Sequence, residues 1–500
     1  MNELDLFVPR DVFRALLPEI LLSGWALFVL MVTAWRHKTA ADSRLAGVLS
    51  LVGIGVTIGV VVAMWLGGAS AAGIPNMIEV DAFRFSSSLI FLVAAGFTIL
   101  VSFSYVQREQ LIAPEYYSLI LLATVGMMFM AGAADLVVLF LGLEVMSVSV
   151  YVLTGFNRAS PASAEAGVKY FLIGAFASAF LLYGIALVYG TTGNTNLTLI
   201  AAQLGSGKLP LMAALGLGLL IIGFGFKVAA VPFHMWAPDV YDGAPTPVTG
   251  FMAAAVKAAG FAALTRVLLE GFPSSIAQWQ PVVGVLAVVT MIAGNLVALV
   301  QKSLKRMLAY SSVAHAGYLL TALWPGNQFA ASTVMLYLVA YSLTTIASFC
   351  LLAALGKGGE RDVTLDDIAG LSRRRPWMSL ALAICMLSLL GFPGTVGFIG
   401  KWYILTSIVA QGQVVLAVVV VLTSVVSAGY YLPVIMAMYM RPAPETPRDE
   451  SRVLLPAAAV VVGLCVIGLL LFGVWPNELI SFAQASVKTL GETLLPVAVR

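Results

Sequence analysis

The run "PAAAVVVGLCVIGLLLFGV" at residues 456–474 carries no charge, and runs of its kind recur along the whole chain. A hydrocarbon layer about 30 Å thick takes about 20 helical residues to cross. No water is present there to satisfy backbone N–H and C=O groups, so an open segment of this length must close its hydrogen bonds on itself as a helix. Of the 500 residues, 60% are hydrophobic and 10% charged, too few charges to clothe a water-facing surface. The expected fold is an all-α polytopic membrane protein.

Cutting the chain at its charged, Pro, Gly and Asn clusters yields about fourteen spans, at residues 14–35, 45–66, 85–106, 115–131, 134–156, 165–190, 209–235, 247–270, 278–300, 306–323, 329–354, 376–409, 413–440 and 453–475. The basic residues test that division, because short cytoplasmic loops collect Lys and Arg and one missed span would scramble the alternation downstream. With the N-terminus outside, the loops after odd-numbered spans hold Arg36, Lys38, Arg44, Arg108, Arg158, Lys302, Lys305, Arg306, Lys357, Arg361, Arg373, Arg374, Arg375, Arg441, Arg448 and Arg452, whereas those after even-numbered spans hold only Arg84 and Lys208. Both termini are therefore expected on the periplasmic side of a bacterial inner membrane.

No basic leader with a short apolar core and small-residue cleavage site precedes the first span, so that span is expected to act as its own insertion signal. The stretch "WPNELISFAQASVKTLGETLL" at 475–495 is too polar to span and reads as an interfacial helix or a frayed tail. The chain is expected to be one transmembrane domain, with three helices in 1–110, helices 4–8 in 115–270, helices 9–13 in 276–440, and the last helix and tail in 453–500.

Two spans are interrupted. Span 7 meets Pro232 within "GFGFKVAAVPFHMWAPDV" at 223–240, and span 12 holds "GFPGTVGFIGKWY" at 391–403, where Gly391, Pro393 and Gly394 must break the hydrogen-bond ladder. Irregular backbone at membrane depth is tolerated only where it is buried in protein or lines a hydrated cavity. The breaks lie five spans apart, and five is odd, so the two helices cross in opposite directions. Corresponding broken helices of opposite direction mark inverted repeats with the transport site between them. Two inverted five-helix repeats, helices 4–8 and 9–13, are expected.

Four charges fall near the middle of spans: Glu144 in "LVVLFLGLEVMSVSVY", Lys227, Lys257 and Lys401. Each charge at bilayer centre is unfavourable by about 2.5–3.5 kcal/mol even on the milder scales. The bland explanation is a neutralising Glu144–Lys227 ion pair with Lys257 and Lys401 snorkelling, but snorkelling from mid-helix is geometrically poor and the lysines exceed the acid. The alternative is a proton relay. Burial favours neutral lysine and a neighbouring carboxylate favours charged lysine, so moving the two apart changes the lysine's hold on its proton by about 1.4 kcal/mol per pKa unit. His234, two residues after Pro232, and His315 in "YSSVAHAGY" either hold ordered water or bond a freed carbonyl. Lys169 reads as a cytoplasmic anchor near the mouth of the path, and Asp135, Asp239 and Asp242 read as solvated or capping groups.

A formal charge of +3 indicates no nucleic-acid partner. Cys350, Cys385 and Cys465 lie in apolar runs and read as small core hydrophobes. The deep positions hold no metal-ligand spacing, no phosphate loop and no convincing Ser/His/Asp set. The longest connector contains "GERDVTLDDIAGLSRRR", a charged loop and not a catalytic module. Redox or nucleotide chemistry is therefore expected in other polypeptides.

The stretch "FKVAAVPFHMWAPDVYDGAPTPVTGFMAAAVKAAGFAAL" at 226–264, with "SLKRMLAYSSVAHAGY" at 303–318, resembles the antiporter-like subunits of respiratory complex I and of Mrp-type cation/proton antiporters, and the likeness extends over essentially the whole chain. Three details resemble the branch called subunit N: about fourteen spans without the long lateral helix of the subunit called L, Lys401 in "GFIGKWY" where the subunit called M has glutamate, and the "WAPDVYDGAPTPVTGFMAAAVKAAGF" stretch. The resemblance implies that Glu144 and Lys227 are a coupled pair on helices 5 and 7, Lys257 the relay lysine of helix 8 and Lys401 the terminal lysine of helix 12. It implies neighbours among the other membrane and peripheral subunits, including antiporter-like ones, in contact with the lipid bilayer. NADH, FMN, iron–sulfur clusters and quinone would be held by those partners, with no cofactor on this chain.

Two readings compete with a proton-translocating, non-redox subunit of an NADH:quinone oxidoreductase. One is a Na⁺ or K⁺/proton antiporter, for which only Glu144 offers a deep carboxylate, and the other is a hydrogenase-linked pump. A pure assembly scaffold would have no use for aligned mid-membrane charges.

Overall fold

The computed structural model describes residues 9–35, 39–67, 77–111, 114–205, 207–356, 363–442, 456–488 and 490. Of the basic residues expected in inside loops, Arg36, Lys38, Lys357, Arg361, Arg448 and Arg452 lie outside the described residues, as do most of the N-terminal leader region and the end of the tail. The described chain is helical, with three isolated β-bridges and no strand among the described residues.

The principal helices are α1 (Leu17–Ala34), α2 (Ala40–Leu66), α3 (Ala82–Arg108), α4 (Glu115–Gly132), α5 (Leu136–Thr154), α6 (Pro161–Thr192), α7a (Leu211–Val228), α7b (Trp236–Gly243), α8 (Thr246–Gly271), α9 (Ile276–Ala298), α10 (Leu304–Leu323), α11 (Gln328–Leu355), α12a (Pro376–Leu390), α12b (Val396–Val409), α13 (Val414–Met440) and α14 (Pro456–Val474). Twelve helices among the described residues are long and apolar enough to cross a membrane. α10 and the α12a–α12b pair are not among those twelve, the first because polar residues crowd it and the second because its break leaves two short pieces. The tail after α14 forms the short amphipathic helix Asn477–Ala485.

Helix starts follow capping chemistry. Thr39 and Asp42 form a capping box on α2, Asp81 caps α3, Asp135 caps α5, Ser303 caps α10 and Asn327 caps α11, each satisfying backbone N–H groups that a first turn leaves without partners. Large apolar side chains such as Phe28, Leu172, Phe176 and Val425 point outward, as expected where the surrounding solvent is lipid.

At the centre is α8, buried along its whole length and packed against α3, α4, α7a and α11. Its alanines at 253–255, 258, 259, 262 and 263 let those helices approach closely. Two π-helical stretches, Met252–Val256 and Val267–Gly271, bracket the α-helical piece that starts with Lys257.

The two breaks close alike. Ala229 ends α7a at φ 59° and Gly391 ends α12a at φ 85°, and in each case the following N–H reaches back to a carbonyl five residues earlier, Ala230 to Gly225 at 2.8 Å and Phe392 to Leu387 at 2.9 Å. This is a Schellman-type closure of the last turn. A second feature also recurs five helices apart. The start of α5 bonds the segment after α6 (Leu136 N–H to the Thr195 carbonyl, 2.9 Å), and the start of α10 bonds the segment after α11 (Leu304 N–H to the Val363 carbonyl, 2.8 Å).

Glu144 is half-buried, and other acids are more deeply enclosed. Where α1, α3 and the end of α8 meet, Arg84 pairs with Glu19 at 2.7 Å, and the fully buried Arg266 pairs with Asp81 and Glu270, each at 2.9 Å. Arg84 also donates to the Ala15 and Glu79 carbonyls, and Arg266 to the Ala131 carbonyl at 2.9 Å. Burial holds the Glu79 carboxyl, in the loop before α3, above the usual carboxylate range. These residues sit at span ends, where a sequence places charges in water, and tertiary packing buries them.

Removing one partner of such a cluster leaves an uncompensated buried charge, a loss of about 3–5 kcal/mol. Arg266→Met is therefore expected to lower the thermal unfolding midpoint of the purified protein sharply. Lys208→Met, at an exposed position, should stay within about 0.5 kcal/mol of wild type.

Candidate functional site

The α7 break sets the position of Lys227. The residue falls in the last turn of α7a, at the partly negative end of a half-helix, where a cation is favoured. Its ammonium donates to the Ser147 hydroxyl at 2.7 Å and the Tyr151 hydroxyl at 3.1 Å, both on α5. The rings of Tyr151, Phe226 and Tyr170 lie 5.2, 5.4 and 5.8 Å from it, and such faces attract a desolvated cation. Trp236, opening α7b, stacks on Tyr170 with centroids 4.4 Å apart and donates its indole N–H to the Phe226 carbonyl at 2.9 Å. The second half of the broken helix thus returns to close the cage around the lysine.

Glu144 stands on α5 one turn before Ser147. Its carboxylate accepts from Ser178 of α6 at 2.5 Å, and among the described residues it forms no ion pair with Lys227, although it lies within electrostatic reach. Ser147 itself donates to the Leu143 carbonyl, so it receives the lysine's hydrogen bond as an acceptor. The neutralising ion pair of the bland reading is therefore not formed.

Lys257 leaves α8 at the junction of π- and α-helix and donates to the Ser312 carbonyl at 2.5 Å and to the Ser312 hydroxyl, with the Tyr341 ring 5.6 Å away. One turn along α10, the His315 ring meets the Tyr337 hydroxyl at 2.7 Å through Nδ1 and the Tyr431 hydroxyl at 3.3 Å through Nε2. His315 is close enough to feel the charges of both Lys257 and Lys401. Lys401, on α12b, donates to the Leu390 carbonyl at the end of α12a at 2.9 Å and sits 4.6 Å above the Tyr318 ring. Tyr318 in turn donates to Thr423 on α13 at 3.3 Å. Ser312, His315 and Tyr318 recur every three residues, so one face of α10 lies between the two lysines.

All three lysines are buried, at 3, 1 and 5% exposure, which excludes snorkelling. Lys227 lies in the last turn of a half-helix and Lys257 at a change of helix type, whereas Lys401 lies within α12b and reaches back to the end of α12a.

Lys169 and His234 stand apart. Lys169 is partly exposed and pairs with Glu165 at 2.6 Å and Asp239 at 3.1 Å, and Asp239 also pairs with Arg306 at 2.9 Å. Asp239 thus bridges α6 to α10 and is not a freely solvated cap. The Nδ1 of His234 is buried without a partner, and among the described residues no hydrogen bond joins its ring to the lysines.

Sequence reasoning missed the hydroxyls of Ser147, Tyr151 and Ser312 that hold the lysines and those of Tyr337 and Tyr431 that hold His315. The three-residue spacing within "SSVAHAGY" was the available signal for the α10 face, whereas Tyr151 and Tyr431 belong to helices distant in sequence. Among the described residues no group of three or more His, Cys, Asp or Glu could hold a metal ion.

Buried charges are unfavourable to stability, and replacing them with apolar groups of similar size is often stabilising by about 1–4 kcal/mol. Lys257→Met and Lys401→Met are each expected to raise the unfolding midpoint in detergent. A lower midpoint would show that these lysines serve to anchor the fold.

Residues 133–427 match the family described as NADH:quinone oxidoreductase/Mrp antiporter, transmembrane. The chain is similar to NADH-quinone oxidoreductase subunit N of Trichlorobacter lovleyi, 45% identical over 481 residues that cover 95% of this chain and 97% of that one. Among solved structures it is similar to a chain of respiratory complex I from Thermus thermophilus, with TM-score 0.79 and 35% identity over 93% of this chain and 99% of that one. A chain of the Mrp complex from Dietzia sp. shares the fold, with TM-score 0.83 and 20% identity over 96% of this chain and 98% of that one.

Proposed function

The chain belongs to the NADH:quinone oxidoreductase/Mrp antiporter family, and from that premise we propose that it is a proton-translocating membrane subunit of a respiratory NADH:quinone oxidoreductase. It works beside the other membrane and peripheral subunits, which hold NADH, FMN, iron–sulfur clusters and quinone, and carries out no redox step itself. α10 and the α12a–α12b pair cross the membrane with the twelve long helices, giving fourteen spans, ten of which form two inverted repeats, α4–α8 and α9–α13, with both termini on the outer side of a bacterial inner membrane.

The observation that carries this reading is the chain of buried lysines held by neutral acceptors. Glu144 and Lys227 form its first station, Lys257 and His315 its middle, and Lys401 its end. When the Glu144 carboxylate approaches Lys227 it strengthens the lysine's hold on a proton, and when it withdraws towards Ser178 that hold weakens by about 1.4 kcal/mol per pKa unit. Lys169 guards the mouth of the path through its ion pairs, and His234 has a secondary place beside the α7 break.

Lys227→Ala is expected to lower NADH-driven proton pumping and coupled quinone reduction by on the order of tenfold or more in assembled complex, with assembly retained. Wild-type pumping and turnover in that variant would refute the relay. Co-purification with NADH-oxidising peripheral subunits separates this reading from the cation/proton antiporter shared by the family, for which isolated protein would show Na⁺- or K⁺-dependent proton exchange.

A further inference from the structure

The two breaks differ in one respect that the relay does not explain. At the same place in the closing turn, with similar positive φ, α7a ends in alanine and α12a in glycine. Ala229 shows that this kind of closing turn can carry a side chain at φ 59°, so at Gly391 the space a side chain would take matters beside the backbone strain of φ 85°. The difference lies in where the lysine goes. Lys227 belongs to the half-helix that the break ends, and its ammonium is taken up by α5. Lys401 belongs to the half-helix that follows the break, and its side chain folds back over it. A Cβ at Gly391 would stand 2.8 Å from Lys401 Cδ and 3.6 Å from its Nζ. The lysine stem lies in the space that a side chain at 391 would take, and the ammonium is delivered to the carbonyl of the preceding residue, Leu390.

We propose that Gly391 is a positioning residue of the proton relay: its missing side chain forms the cradle that seats the Lys401 ammonium on the carbonyl end of α12a. This rests on the relay reading above and assigns the α12 break a task within it. The seat couples the lysine to the half-helix dipole, because the free carbonyls of a last turn carry partial negative charge and favour the protonated amine. A movement of α12a relative to α12b then changes the lysine's environment directly.

Besides that seat, the Tyr318 ring face 4.6 Å away also favours the charged amine, and no carboxylate pairs with it among the described residues. From α10 come Tyr318, whose ring lies against the ammonium, and His315, which is held by the hydroxyls of Tyr337 of α11 and Tyr431 of α13. The titratable groups of α12a and α14 are the buried thiols Cys385 and Cys465, and neither helix carries a charged residue. Lys257 of α8 is the other lysine whose charge reaches His315.

Gly394 supplies the control. It has φ 89°, close to that of Gly391, but a Cβ there meets nothing within 4 Å. Gly391→Ala and Gly394→Ala therefore impose a similar backbone penalty, and only the first displaces Lys401. Both are prepared in the assembled complex, reconstituted in vesicles, and compared with wild type and Lys401→Ala for protons pumped per NADH oxidised across a pH series. Gly391→Ala is expected to lose at least half of the pumping per NADH at neutral pH and to move the alkaline limb of the pumping profile towards neutral by about one unit, the size of a helix-end interaction. Gly394→Ala should keep the wild-type profile. Equal profiles for the two alanine variants overturn the cradle while leaving the relay standing, provided Lys401→Ala pumps poorly. Wild-type pumping by Lys401→Ala overturns the relay at this lysine and the cradle with it.

Discussion

An interrupted helix at membrane depth releases carbonyls and N–H groups that no water is present to satisfy, and the site is built from the answers to that problem. At the α7 break the Phe226 carbonyl receives the indole N–H of Trp236, and the Val231 N–H reaches Thr290 of α9 at 2.9 Å. At the α12 break the Leu390 carbonyl receives Lys401. Each answer draws a separate element against the break, so the interruption organises the packing around it. It also leaves helix ends in the middle of the protein, and a partial negative charge there is one of the few things that make a buried ammonium tolerable.

The protein handles its buried charges by two chemistries. At the end of the bundle where α3 begins and α8 finishes, arginines meet carboxylates, with Arg266 on Asp81 and Glu270 and Arg84 on Glu19. Arginine does not give up its proton in proteins, and its planar fork suits fixed pairing, so this cluster ties α1, α3, α4 and α8 together. Along the middle, lysines meet hydroxyls, carbonyls and ring faces: Lys227 on Ser147 and Tyr151, Lys257 on Ser312, and Lys401 on Leu390. Lysine shifts its proton readily when buried, and a neutral acceptor holds the ammonium without fixing it as a carboxylate would. Residue type thus separates the arginine–carboxylate cluster from the lysines held by neutral acceptors, the set proposed above as the relay.

Much of this was legible in the chain. Apolar runs of membrane length dictate helices, Pro232 and the Gly391–Pro393–Gly394 group dictate breaks, and a lysine in mid-span stands out against its surroundings. The partners were not legible, because Tyr151 with Lys227, or Tyr431 with His315, are paired by packing across helices far apart in sequence. The bland explanation made Glu144 and Lys227 an ion pair, because opposite charges in apolar spans suggest one, yet Ser147 occupies the place beside the ammonium and Ser178 takes the carboxylate. Arg266 and Glu270 were passed over because charges near span ends ordinarily reach water, and only the wholly enclosed position of α8 denies it to them.

The two halves share their breaks but not their charges. In the first half a carboxylate, Glu144, stands near the buried lysine of the broken helix. In the second, the helix five places later, α10, offers Ser312, His315 and Tyr318, and the lysine of the broken helix faces no acid. The row of groups from Glu144 to Lys401 is therefore electrically unsymmetrical, with its one carboxylate at one end. On the relay reading proposed above, a movement of that carboxylate acts most strongly on Lys227, because Coulomb energy falls with distance and Lys227 is the lysine within its reach. On that reading the matched breaks supply the geometry of a path, and the unmatched acid supplies its direction.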